Sequence, residues 1–146
     1  MKTPGEWRYN MRVMRRLALV VALATPVSAA EESPAEGIEW VTPEELKEAV
    51  DAGAGLIIVD VRSETSYRKG HIPGAINIPM EVIKTNDKLG VKPEDMVVLY
   101  CDCGHGGIAL SAARILKERG YGNLWVMLGT SRDYPGELEK SPEEWQ

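Results

Sequence analysis

Cys101 and Cys103 stand two residues apart in the stretch "VVLYCDCGHGG", and the chain has no other cysteine. Such a pair can close a disulfide, hold a soft metal, or supply a thiolate nucleophile. A bridge across so short a spacing is expected to be strained, and strained disulfides are oxidising and labile. The pair is therefore read as reactive or redox-active, not as a purely structural staple. A metal clip from Cys101, Cys103 and His105 lacks the wider spacing and the fourth ligand of a zinc site. No second cysteine pair exists to complete one, so no metal is expected.

The residues around the pair favour a nucleophile. An apolar run ends at Tyr100, and a helical pattern starts near Ile108. Gly104, Gly106 and Gly107 are expected to curl the segment between them through positive φ angles. The backbone N–H groups of Asp102, Gly104, His105, Gly106 and Gly107 can then turn inward as an anion cradle, with the positive end of the helix behind them. A thiol in such a cradle has a depressed pKa. His105 can carry a positive charge near neutral pH and tune it. Asp102 would oppose activation, so it is expected to point outward. The cradle suits phosphoryl chemistry and sulfur transfer alike. An acidic surface and a loop with no Lys or Arg disfavour phosphate esters.

The elements that must position this loop are legible as patterns. "IEWVTPEELKEAVDAG" predicts a short strand and a helix, with Thr42 as N-cap, Pro43 at the first helical position and Glu45 completing a capping box. "LIIVDV" (56–61), "MVVLY" (96–100) and "NLWVM" (123–127) are apolar runs expected as strands covered on both faces. "GHIPGAINIP" reads as a loop feeding a short strand over Ala75–Ile78, and "MEVIKTND" as a short helix. From Ile108 to Arg119 the spacing puts Ile108, Ala112, Ile115 and Leu116 on one helical face, with Gly120 as terminator. The tail after Gly129 reads as irregular, with a final turn of helix near Glu137. Trp40 and Trp125 are expected to pack in or at the edge of the core. Strands alternating with helices predict an α/β sheet, whose ligands bind beyond the carboxyl ends of the strands. Asp60, Arg62 and the Cys101 loop meet that condition.

"IIVDVR", "YRKGHIPGAINIP", "VVLYC" with its Gly-rich loop, "AARILKERGY" and "LWVMLG" follow in an order and spacing that resemble the rhodanese-like domain family, over about residues 38–135. The resemblance implies a parallel sheet of about five strands with helices on both faces. It implies a sulfurtransferase that takes sulfane sulfur from a donor such as thiosulfate, holds it as a cysteine persulfide, and yields it to cyanide or a thiol. No cofactor is implied. The partners are a small sulfur-donor anion and a thiol acceptor, which is a small molecule or a protein. His71 matches the family's loop histidine, with a bracing role by hydrogen bonds. Asp60 and Arg62 are expected to pair at a strand end. Two departures stand out. Either the loop carries two extra residues and Cys101 is the nucleophile, as strand register selects, or the second cysteine is used and Cys103 is the nucleophile, as helix register selects. The tail "LGTSRDYPG" lacks the double glycine and tryptophan common in the family.

The rest of the chain bounds location and partners. Hydrophobic residues are 44% and charged residues 27%, with a formal charge of -5. No Lys/Arg cluster suggests nucleic acid. Arg12, Arg15 and Arg16, an apolar run from Leu17 to Ala24, and Val27-Ser28-Ala29 make the pattern of a secretory signal cleaved after Ala29. The run is too short to span a bilayer, so no stable membrane span is expected after cleavage. Met11 is read as the true start. Residues 1–29 are thus an extension plus signal, 30–37 a linker and 38–146 the domain, which would work in the periplasm or outside the cytoplasm. Two other functions fit the sequence: a thiol–disulfide oxidoreductase using the Cys-Asp-Cys pair, and a non-catalytic binding module.

Overall fold

The computed structural model describes residues 37–142; the signal reading and all of the linker reading but Gly37 fall on residues outside these. A five-stranded parallel sheet runs in the order β1-β5-β4-β2-β3. The strands are β1 (Ile38–Val41), β2 (Ile57–Asp60), β3 (Ile76–Asn77), β4 (Val97–Tyr100) and β5 (Leu124–Met127). The helices are α1 (Pro43–Asp51), α2 (Glu64–Lys69), α3 (Met80–Thr85) and α4 (Gly107–Glu118). The central strand, β4, pairs with β2 on one side and β5 on the other, with Val59 opposite Leu99 and Val98 opposite Trp125.

The alternation of side chains along β4 builds two cores. Val97, Leu99 and Cys101 face one side, where they meet Ile83 of α3 and Ala109, Ala112, Ala113 and Leu116 of α4. Val98 and Tyr100 face the other, with Leu46 of α1, Trp125, Met127 and Tyr134. Both faces are dry, which is why the strands read as unbroken apolar runs rather than as alternating ones. Trp125 is buried and Trp40 packs at the edge of the first core, as expected.

The α1 capping box forms as predicted: Thr42 Oγ1 accepts from the Glu45 N–H at 3.2 Å, and the Thr42 N–H donates to Glu45 Oε2 at 2.8 Å. Two expectations need correction. Ile108 is 47% exposed, because the inward stripe of α4 runs through Ala109, Ala112, Ala113 and Leu116. At 3.6 residues per turn Ile108 lies about 90° off the centre of that stripe. Glu137 lies in no helix. The tail instead makes a 3-10 turn at Ser131–Asp133 and an antiparallel bridge between His71 and Glu139. Helix α2 had no signal in the apolar spacing because none of its residues is buried; Ser63 caps it and Arg68 pairs with Glu64 along it.

Candidate active site

Cys101 is the first residue past the carboxyl end of β4. Its side of the pleat points it into the α4-side core, so it is 1% exposed. Cys103 packs partly buried against the same cluster. The two sulfurs are joined as a disulfide, with the Cα atoms 5.6 Å apart. The chain then bends at Gly104 (φ +68°) and Gly106 (φ +64°) and enters α4 at Gly107. Gly107 is not a positive-φ position as expected, since it already belongs to the first helical turn. The His105 N–H donates to the Cys103 carbonyl at 2.7 Å, which tightens the bend and takes this N–H out of the expected anion cradle, while the His105 side chain is exposed.

Gly106 is constrained twice. Its φ is left-handed, and a Cβ there would stand 3.2 Å from the Trp40 ring and 3.3 Å from Val126. Gly106→Ala is therefore expected to lower the stability of the domain by about 1–3 kcal/mol, the usual cost of forcing a non-glycine residue into such a backbone. A denaturant midpoint within error of the parent chain would show the bend to be dispensable.

Asp102 corrects a further expectation, for it does not point outward. Its Oδ2 accepts from Arg62 Nη1 at 2.7 Å and its Oδ1 from the Ser131 N–H at 2.8 Å. A carboxylate between two thiols would repel the thiolate form, and these partners draw its charge away from them. Partial burial of Asp102 works to raise its pKa, but the Ser131 hydrogen bonds and the Arg62 charge outweigh that and hold it below the usual carboxylate range.

Arg62 is the hub of this arrangement. Its Nε donates to both oxygens of Asp60 at 3.0 Å, and its Nη2 to Asp60 Oδ2 at 2.6 Å and the Gly70 carbonyl at 2.7 Å. Asp60 is fully buried and also accepts the Tyr100 hydroxyl at 2.7 Å. Burial and the Asp60 charge push the Tyr100 pKa up, so that phenol stays a donor. The guanidinium sits 5.5 Å from the centre of the Tyr100 ring. The expected Asp60–Arg62 pair is thus present, and it ties β2 to the cysteine loop and to the turn after β5.

His71 is buried 3.8 Å from the Tyr67 ring in a stacked pair, with Nδ1 2.9 Å from the Tyr67 carbonyl. Its backbone exchanges two hydrogen bonds with Glu139, and its Nε2 lies 3.6 Å from Glu139 Oε2. This geometry braces the tail and brings no catalytic contact with the cysteines.

Beside the loop is a cavity of about 220 Å³, lined among others by Arg62, Lys69, Asp102, Ser131 and Arg132. Lys69 and Arg132 are exposed and form no ion pair among the described residues. The cations missing from the loop sequence are supplied here by neighbouring segments. No group of three or more His, Cys, Asp or Glu side chains able to hold a metal occurs among the described residues, and no helix among them is long and apolar enough to cross a membrane.

The model of the rhodanese-like domain matches residues 42–134. The chain belongs to the rhodanese-like domain family. A rhodanese-like domain from Anabaena superposes with a TM-score of 0.62 at 20% identity, over 73% of this chain and 83% of that one, a likeness of fold. A human single-domain sulfurtransferase superposes with a TM-score of 0.57 at 26% identity, over 64% of this chain and 92% of that one. A tRNA sulfurtransferase of Pyrobaculum aerophilum is 38% identical over 125 residues, 82% of this chain and 25% of that protein. A Bacillus subtilis protein assigned as a sulfur carrier is 34% identical over 106 residues, 72% of this chain and 55% of that protein. The chain thus spans about half the length of the second and a quarter of the first.

Within this rhodanese-like domain, the sheet places Asp60, Arg62, Cys101, Asp102 and Cys103 at one mouth, as the motifs implied. Tyr100, Ser131, Lys69 and Arg132 were not foreseen. Tyr100 carried a signal: alternation along β4 sends the residue before the cysteine to the opposite face, where a buried hydroxyl needs a partner. Ser131, Lys69 and Arg132 carried none.

Proposed function

We propose that this domain is a sulfurtransferase that moves sulfane sulfur from a small anionic donor to a nucleophilic acceptor. The observation that carries the reading is the position of Cys101, at the end of the central parallel strand and at the head of a glycine-bent loop that runs into α4. With the loop reduced, the Cys101 thiolate attacks the outer sulfur of thiosulfate. The S–S bond breaks, sulfite leaves with the bonding pair, and a persulfide remains on Cys101. The thiolate of an acceptor, or cyanide, then takes the outer sulfur. The positive end of α4, which begins at Gly107 just past the loop, would stabilise the developing negative charge. Family membership and relatives named for sulfur transfer support this reading. The N-terminal signal pattern supports a place of work outside the cytoplasm.

The reduced Cys103→Ser chain, which keeps Cys101 as its one thiol, is expected to gain about 32 Da, one sulfur, in intact-mass measurement on treatment with thiosulfate, with release of sulfite. No adduct on that variant with thiosulfate or any polysulfide would end the proposal. The Cys101–Cys103 bond favours a second reading, a thiol–disulfide oxidoreductase. Catalysed insulin reduction by the parent chain, with no sulfur adduct on Cys103→Ser, would select it.

Lys69 and Arg132 beside the loop suit an anionic donor. Reversing both charges, Lys69→Glu with Arg132→Glu, is expected to raise KM for thiosulfate on the order of tenfold at low salt, with kcat little changed. Added salt should shrink the difference, because screening acts on exposed charges. An unchanged KM would remove this cavity from donor binding.

A further inference from the structure

Cys103 is a second sulfur for which a persulfide relay through Cys101 alone has no use. It is half-buried, while Cys101 beneath it is 1% exposed. An external acceptor must work its way into the loop to reach Cys101, whereas the Cys103 sulfur is already at bonding distance from it. Asp102, the residue between them, is pinned by Arg62 and the Ser131 N–H, so the loop holds both cysteines in place. A nucleophile held in this way reacts at a high effective concentration.

We propose that Cys103 discharges the Cys101 persulfide and releases hydrosulfide, an exit that rests on the sulfur-transfer reading above. The Cys103 thiolate attacks the inner sulfur, Sγ of Cys101. A new bond forms between the two cysteine sulfurs, the bond from Sγ to the outer sulfur breaks, and the outer sulfur leaves as HS⁻ with the bonding pair. The sulfane sulfur gains two electrons and the two cysteine sulfurs together lose two. The loop ends in the disulfide form that the structure shows. A dithiol reductant must then reopen it by exchange, so each turnover converts one donor sulfur and one dithiol into sulfide and a disulfide. Acceptors that take the outer sulfur directly compete with this exit.

The test is a single turnover without external thiol. The full chain is reduced, freed of reductant under nitrogen, and mixed with a slight excess of thiosulfate or of inorganic polysulfide. The parent chain should release about one sulfide per chain and finish about 2 Da lighter than its reduced form, as a disulfide. Cys103→Ser and Cys103→Ala should instead hold the adduct of about 32 Da and release sulfide only when dithiothreitol is added. A parent chain that keeps its adduct as long as the Cys103 variants do, with no sulfide, overturns the discharge and leaves the sulfur-transfer reading standing. A parent chain that releases no sulfide, together with Cys103 variants that gain no sulfur from either donor, overturns both.

Discussion

Cys101→Ser is expected to stop sulfur transfer to cyanide or thiols, with the rate falling on the order of a thousandfold or more, to the uncatalysed background. A serine hydroxyl has almost no anionic fraction near neutral pH and is a poor nucleophile toward divalent sulfur, so the loss is chemical and not structural. The side chain is buried in a mixed apolar environment, and a serine there is close in size, so the fold should survive. Cys103→Ser provides the contrast. It should keep at least roughly a tenth of the transfer rate to cyanide, because the persulfide on Cys101 still forms and cyanide attacks its outer sulfur. Thiocyanate formation from thiosulfate and cyanide, followed for both variants, measures the difference. A Cys103 variant that is dead beside an active Cys101 variant would mean that the helix register sets the nucleophile. Full activity in both would remove the loop from the chemistry altogether.

Much of the frame was legible because it rests on local patterns. β2, β4 and β5 are largely apolar runs in a sheet covered on both faces, and such runs carry their own signal. The capping box of α1 is likewise written within four residues. The short helix α2 was hidden because it buries nothing and so shows no apolar stripe. The contacts that hold the site were hidden for a different reason. Arg62 meets Asp102 across 40 positions and Ser131 across 69, and Asp102 meets Ser131 across 29. Nothing in "DVR", "CDC" or "TSRD" alone specifies those meetings; the parallel sheet does, by bringing the ends of β2, β4 and β5 to one edge. Asp102 shows the consequence. Judged from its neighbours it should avoid the thiols and face water, and only the tertiary arrangement supplies the cation and the N–H that turn it sideways.

That arrangement makes Arg62 the largest expected stability effect in the molecule. Asp60 has no exposed surface, and Arg62 supplies three of the hydrogen bonds to its carboxylate from Nε and Nη2. Arg62→Ala leaves that carboxylate with the Tyr100 hydroxyl and the residue-62 N–H. Removing one member of a buried pair costs about 3–5 kcal/mol, because the other charge stays behind in a low-dielectric site. Urea denaturation should show a loss of this size. Arg62→Lys should recover only part of it, since one ammonium cannot serve Asp60, the Gly70 carbonyl and Asp102 in the directions the fork does. Asp102→Asn should cost less than Arg62→Ala, because its side chain is a third exposed and water can replace the lost partner. The Asp60→Asn, Arg62→Met double variant should be more stable than Arg62→Ala, for it removes both charges at once. An Arg62→Ala chain within about 1 kcal/mol of the parent would mean that water reaches Asp60 freely and that the pair is not what anchors the loop to the sheet. The predicted loss implies more than stability. The same guanidinium holds the residue between the two cysteines, so weakening it should also slow the exchange between Cys101 and Cys103 in the chain that remains folded.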